Sequence, residues 1–213
     1  MSISSVILAG GQSRRLGQDK AFVEVGGQPL IERVLQVVRA VSDDVVIVTN
    51  APERYERLGA RLVSDIYPGK ASLGGIYTGL VAAQGEQALV VGCDMPFLNL
   101  GLLRHMARLA AGYAVVIPRY DGYLEPLHAI YHRRCLPVMR AHLEADELRI
   151  AEVLGGLPAR YVSAAEIDLY DPERLTFFNI NTPEDLARAQ TLAQLLDRQR
   201  ALELAAPREG DEA

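Results

Sequence analysis

The chain has 213 residues, 49% of them apolar and 23% charged, with a net charge of −5; that length suits one sizeable core, and the acidic balance excludes a nucleic-acid binder acting through bulk positive charge. Two cysteines, Cys93 and Cys135, show no metal-ligand spacing, which excludes a zinc site and fits a reducing compartment. No apolar run reaches the ~18 residues of a membrane span, and Val6–Ala9 is too short for the core of a secretory leader, so the expectation is a cytoplasmic protein of one domain, residues 1–205, with a polar, disordered tail at 206–213.

Ser5–Ala9 reads as a short strand buried on both faces. Pro29–Val41 reads as a helix, with Pro29 in its first turn and Leu30, Val34, Leu35, Val38 and Val41 on one side. Strands follow at Asp44–Asn50 and Arg61–Asp65, separated by a short charged helix at Pro52–Leu58. A glycine-punctuated helix spans Leu73–Gln84, a strand Ala88–Asp94, a helix Leu102–Ala111 and a strand Ala114–Pro118. Asp121-Gly122 is a tight-turn signal, and Tyr123–Tyr131 reads as the antiparallel partner of the preceding strand. Helices are expected at Leu136–Ala145 and Arg149–Leu154, and a strand pair at Ala159–Ser163 and Thr176–Ile180. The last helix starts at Pro183, capped by Thr182, and runs to about Leu204. Apolar strands alternating with helices predict a three-layer α/β fold of Rossmann type. Its sheet is mainly parallel with helices on both faces, and the C-terminal third adds an antiparallel extension.

The chemistry concentrates at residues 6–20, VILAGGQSRRLGQDK. In parallel sheets ligands bind beyond the carboxyl ends of the strands. Gly10 and Gly11 leave the first strand there without Cβ atoms, so backbone N–H groups can approach an anion closely. Arg15 and Lys20 can neutralise phosphate, one as a planar fork and the other as a point charge. The spacing fits neither a Walker A loop nor a dinucleotide fingerprint. Asp94 ends the strand of ALVVGCDMPFL beside this loop. A carboxylate would repel phosphate unless Mg²⁺ bridged the two, since hard cations take both kinds of oxygen. Asn50 and Asp65 close the next two strands on the same edge, and a carboxylate at Asp65 could accept from the N1–H and N2–H₂ of guanine. Each could instead be a turn residue bonding its own backbone. Cys93 reads as a small buried apolar residue.

LAGGQSRRLG followed by Asp19-Lys20 resembles the signature loop of the nucleotidyltransferases that include the molybdenum cofactor guanylyltransferases. Leu8, Ala9, Gly10, Gly11, Ser13, Arg15, Gly17 and Lys20 match that pattern, and Leu16 stands where methionine is usual. The resemblance implies a nucleotidyltransferase fold. It implies that Arg15 and Lys20 hold the triphosphate, that the Leu8–Gly10 backbone meets base and ribose, and that Asp94 binds the metal. Positions like Asn50 and Asp65 contact the nucleotide in that family. Relatives commonly read Gly-Pro-Leu-Gly-Gly where this chain has Ala71-Ser72-Leu73-Gly74-Gly75, so a proline is missing and the loop is expected to be looser. Gly74-Gly75 could offer amides to an anion or allow close helix–sheet packing. YLEPLHAIY and FFNINTPEDLARAQ resemble the cofactor guanylyltransferases rather than the sugar-nucleotide enzymes. By that resemblance Asn179 and Asn181 hold the pterin or complete the metal site, though Asn181 could belong to the helix cap. His128 could touch the pterin or be a satisfied core residue. The implied reaction is Mg²⁺-dependent transfer of GMP from GTP to the phosphate of molybdopterin or molybdenum cofactor. The implied partners are those substrates and the proteins that insert molybdenum or chaperone molybdoenzymes. Open alternatives are a cytidylyltransferase on the same pterin, a sugar or lipid-precursor nucleotidyltransferase, and a catalytically silent nucleotide-binding regulator.

Overall fold

The computed structural model of the chain describes residues 3–10 and 19–205. Gly11, Ser13, Arg15, Gly17 and the tail from 206 onward lie outside the described residues. In chain order the first elements are β1 (Ile3–Leu8), β2 (Glu24–Val25), β3 (Gln28–Pro29), α1 (Leu30–Arg39), β4 (Val45–Val48), β5 (Arg61–Val63), α2 (Ala71–Ala82) and β6 (Gln87–Gly92). They continue with α3 (Leu100–Leu109), β7 (Val115–Tyr120), β8 (Tyr123–Leu124), β9 (His128–His132), α4 (Leu136–Glu144) and α5 (Ile150–Leu154). The last are β10 (Ala159–Ser163), α6 (Ala164–Asp168) and α7 (Pro183–Ala205). The main sheet runs β10-β7-β9-β6-β1-β4-β5, with β8 paired to β7. β5, β4, β1 and β6 are parallel. β9 is antiparallel to both β6 and β7, so β7 points the same way as β6, and β10 is parallel to β7.

The continuous Val/Ile strands are divided between two cores by their period-2 alternation. Ile7, Ile47, Leu89 and Val91 pack on α1 and α3, with Ile167 of α6 joining them. Val6, Val46, Val90 and Ala88 pack on α2, α4 and α5. Both faces of each strand are dry, which is why no polar alternation marks them in the sequence. Each fully buried Val, Ile or Leu adds about 1.5–3 kcal/mol, so a one-residue slip of register would move every such side chain to the wrong layer. A third cluster joins Val23, Val25 and Leu30 to Phe97, Ile180, Ala189 and Ala193. It ties α7 to the small β2–β3 hairpin.

Most expected elements are observed, with ends differing by a few residues. Ala9, Thr49 and Cys93 extend the apolar runs but already leave the ladder. Pro52–Leu58 is two 3₁₀ turns rather than one helix. Asp121-Gly122 forms the expected turn: both residues have positive φ, +50° and +82°, and they join β7 to β8 as a two-residue hairpin turn. Tyr123–Tyr131 is not one strand. It divides into β8 and β9, and β9 inserts between β7 and β6.

The expected pairing of Ala159–Ser163 with Thr176–Ile180 is not formed. β10 pairs with β7 instead, and Leu175–Phe177 is a 3₁₀ turn. The backbone there is satisfied without a ladder: Thr176 N–H donates to the Asp171 carboxylate at 2.7 Å, Phe178 N–H to Leu175 O, and Ile180 N–H to Asp94 O. The C-terminal helix begins as expected. Thr182 Oγ1 accepts from Asp185 N–H, while the Asp185 carboxylate accepts from the amides of Asn181 and Thr182. Those amides, Asn181 first, hold the Asp185 carboxyl below its usual range.

Candidate active site

The carboxyl ends of β5, β4, β1 and β6 open into one cleft of about 500 Å³, within the size range of small-molecule sites. Leu8, Ala9, Gly10, Lys20, Asn50, Asp65 and Asp94 all line it. Gly10 is exposed, and a Cβ built there would meet no described protein atom within 4 Å. Packing therefore does not require glycine at this position; the space that a side chain would take belongs to the cleft. The reverse holds on α2. A Cβ at Gly75 would come within 3.0 Å of the Leu8 side chain, one at Gly74 within 2.7 Å of Tyr67 O, and one at Gly79 would collide with Val6. Gly75 and Gly79 let α2 lie close on β1, whereas Gly74 makes room for the turn at Tyr67. The close-packing reading therefore fits Gly75, which also forms part of the cleft wall.

Lys20 begins a single 3₁₀ turn, Lys20–Phe22, capped by the Asp19 carboxylate on Ala21 N–H. Its Nζ donates to Asp94 Oδ2 at 2.7 Å and to Asn181 Oδ1 at 2.7 Å. The Lys20 and Asp94 side chains are only 15% and 22% exposed, so this ion pair is partly screened from water and stronger than a surface pair. Three segments thus meet at one ammonium: the turn after the glycine loop, the turn after β6, and the stretch before α7. Gly92 makes room for it, because a Cβ there would strike Asp94 Oδ1.

Asn50 and Asp65 sit together at the other end of the cleft. Asn50 Oδ1 accepts from Asp65 N–H at 3.1 Å. Asp65 Oδ1 accepts from Thr78 Oγ1–H at 2.9 Å and from Tyr67 N–H at 3.0 Å. Both readings of Asp65 are therefore compatible. One carboxyl oxygen anchors the turn, and Oδ2 accepts no hydrogen bond among the described residues.

Asn179 departs from the expected shared face with Asn181. Its Nδ2 donates to Phe177 O at 3.0 Å, because the segment is a turn rather than a strand and the two side chains diverge. His128 is fully buried and does not line the cleft. Its Nε2 lies 2.8 Å from Thr176 Oγ1, its ring meets Phe177 edge-on, and burial lowers its pKa to about 4. Thr176 Oγ1 also accepts from Asn99 N–H at 3.0 Å. His128 is thus a core anchor for the segment that carries Asn181. Cys93 is not the wholly buried residue expected: it lines the cleft, with its thiol pushed up to about 12 by burial and by the neighbouring Asp94. Sequence reasoning did not assign Asp19, Val48, Thr49, Gly69, Ala71, Ser72, Gly92 or Leu127 to the cleft. Asp19 carried a signal as a capping residue directly before Lys20, and Ala71-Ser72 one as part of the loop that resembles the family pattern.

Among the described residues no cluster of three carboxylate, His or Cys side chains could hold a metal. Asp94 already seats a cation, the Lys20 ammonium, so its position and charge fit a divalent ion. A hard ion bound by one carboxylate takes its remaining oxygens from phosphate and water.

A parallel-sheet cleft opened by a glycine, with a lysine and an acidic residue facing each other at its mouth, defines an α/β nucleotidyltransferase. The chain belongs to the MobA-like NTP transferase domain family, whose sequence model matches residues 5–158. It is 38% identical over 194 residues to a protein of Pelotomaculum thermopropionicum named "Probable molybdenum cofactor guanylyltransferase", covering 91% of this chain and 95% of that one. It is also 38% identical over 191 residues to the molybdenum cofactor guanylyltransferase of Desulfosudis oleivorans, covering 89% and 95%. The crystal structure of molybdopterin-guanine dinucleotide biosynthesis protein A from Archaeoglobus fulgidus superposes with a TM-score of 0.78 at 30% identity, over 90% of this chain and 99% of that one.

Proposed function

We propose that this chain transfers the guanylyl group of GTP to the terminal phosphate of molybdopterin or molybdenum cofactor, releasing pyrophosphate. The observation that supports this reading most is the meeting of Lys20, Asp94 and Asn181 at one end of a cleft whose other end carries Asn50 and Asp65. Triphosphate belongs at the charged end. The base belongs toward Asp65, whose Oδ2 can accept an N–H of guanine. The backbone at Leu8–Gly10 runs between the two ends.

An oxygen of the acceptor phosphate forms the new bond to the α-phosphorus, and the bond from that phosphorus to the bridging oxygen breaks. Pyrophosphate leaves with the electron pair. The protein supplies no nucleophile: Cys93 stays protonated at neutral pH. Catalysis is positioning and charge neutralisation. Lys20 neutralises phosphate, and Arg15 is proposed as the second cation. Asp94 would hold Mg²⁺, which when bound neutralises phosphate charge. Asn181 is proposed to face the acceptor, while Asn179 is turned onto Phe177 O. No helix among the described residues is long and apolar enough to cross a membrane. A cytoplasmic site of action, between proteins that insert molybdenum and those that chaperone molybdoenzymes, is part of the same proposal.

The test is pyrophosphate release with molybdopterin, Mg²⁺ and each of GTP, CTP, ATP and UTP, alongside thermal unfolding with the same nucleotides. A ligand at a hundred times its dissociation constant adds about 2.7 kcal/mol, which moves the midpoint by several degrees. The expected result is turnover with GTP and a shift with GTP above the others. Faster turnover with CTP would move the chain to cytidylyl transfer. Nucleotide binding without turnover would make it a regulator.

A further inference from the structure

Two functions assigned above compete for one carboxylate. Asp94 is the carboxylate a divalent ion would take, and its Oδ2 is already 2.7 Å from Lys20 Nζ. A bound Mg²⁺ sits about 2.0–2.1 Å from its ligands, so ion and ammonium cannot share that oxygen without close contact between like charges in a partly desolvated site. The same ammonium is held at 2.7 Å by Asn181 Oδ1. Asn181 reaches it from a segment fixed independently, by Ile180 N–H on Asp94 O at one point and by Thr176 on Asn99 and His128 at another. Lys20 has a four-carbon stem and lines the cleft; its ammonium can move while the groups that receive it stay in place.

We propose that Lys20 is an exchangeable counter-cation: in the ligand-free protein it occupies the metal's seat on Asp94 and ties down Asn181, and a triphosphate opens both by drawing the ammonium onto itself. This rests on the reading of Asp94 as the metal carboxylate. A triphosphate carries several negative charges against the single charge of Asp94, so the exchange runs toward phosphate. Its consequence is an order of events. The metal binds poorly to the protein alone, nucleotide binding uncovers Asp94, and the Asn181 amide becomes available to the acceptor only after nucleotide has arrived. No cluster of three carboxylate, His or Cys side chains stands among the described residues, which acts in the same direction, since the phosphates supply the ion's remaining oxygens.

The experiment is Mn²⁺ binding to nucleotide-free protein, followed by the loss of the free-ion EPR signal. Wild type, Lys20→Met, Asp94→Asn and the double variant are compared. Methionine keeps the length of the lysine stem without its charge. Lys20→Met is expected to bind Mn²⁺ at least tenfold more tightly than wild type, and the double variant to lose that gain. Equal or weaker binding by Lys20→Met overturns the exchange. A gain that persists in the double variant overturns instead the assignment of the metal to Asp94, so the two failures are distinguishable. A second measurement does not depend on the Lys20 and Asp94 variants folding. The chain has two lysines, Lys20 and Lys70, so ¹³Cε-lysine labelling yields two signals, assigned with Lys70→Arg. Inorganic tripolyphosphate without metal should shift the Lys20 signal, and millimolar Mg²⁺ alone should leave it in place. A shift with Mg²⁺ alone would mean that the metal takes Asp94 unaided, against the proposal.

Discussion

Across the ends of β5, β4, β1 and β6, the cleft is lined by backbone and short polar side chains held by residues near them in the chain. Asn50 bonds Asp65, and Asp65 bonds Tyr67 and Thr78. Across β9 and β7 the same edge is covered by the segment before α7, held from far away. Asn99 bonds Tyr170 and Thr176, His128 bonds Thr176, Phe177 stacks on Tyr120 at 4.9 Å, and Arg174 lies over Tyr120 while pairing with Asp168. The first half is built from turns on a parallel sheet. The second exists only once distant segments have docked. Lys20, Asp94 and Asn181 form the seam between the two.

The largest expected effect is at that seam. Asp94→Asn should lower kcat/KM for GTP by about 10²–10³-fold, the scale set by removing one well-placed charge-stabilising group, with an unfolding midpoint within a few degrees of wild type. A loss of both activity and stability would instead place Asp94 among the structural bonds of the docked half.

His128 tests the docked half through pH. An unfolded histidine titrates near 6.5, whereas burial lowers His128 to about 4 in the fold. As pH falls the unfolded chain takes up the proton first, so this contribution is intact above 6.5 and is lost progressively toward 4. The loss amounts to about 3 kcal/mol. Denaturant titrations between pH 7 and 4.5 should show that slope in wild type and a flatter one in His128→Gln, whose amide can still meet Thr176 but does not titrate.

Gly79→Ala tests the other half. Its Cβ would strike Val6 under the parallel strands, so it should cost about 1–3 kcal/mol. Chemical denaturation checks this, and turnover per folded molecule should be unchanged. The smallest effect is expected at Ala71, which adopts a φ of +50°, a left-handed conformation that glycine takes without strain. Ala71→Gly should raise stability by roughly 0.5–1 kcal/mol by removing left-handed strain, partly offset by the entropy of glycine. A lower midpoint in the same titration would show that the strain is already relieved by its neighbours.

The asymmetry between the halves also explains what could be read in advance. Val45–Val48 and Gln87–Gly92 were legible because strands dry on both faces are near-continuous apolar runs. Gly10, Asn50, Asp65 and Asp94 were legible as cleft residues because each lies just beyond the carboxyl end of a parallel strand, where ligands bind, and Lys20 because it follows the glycine loop as a cation suited to phosphate. The strand expected at Thr176–Ile180 was not formed, because Asp171, Asn99 and Asp94 satisfy its polar groups from outside any ladder. The divergence of Asn179 from Asn181 follows from that turn. The burial of His128 followed from the docking of Phe177 and Thr176, and nothing in the residues around it announces this.

The amino-acid sequence by itself determined the layered α/β class, the sheet edge where the cleft opens, and the residue types that line it. Apolar periodicity and glycine placement act over a few neighbouring residues. Only the tertiary structure decided that Lys20, Asp94 and Asn181 share one contact, across sequence separations of 74 and 161 residues. Contacts over such distances are set by the stacking of whole elements into two cores, and no local pattern encodes them.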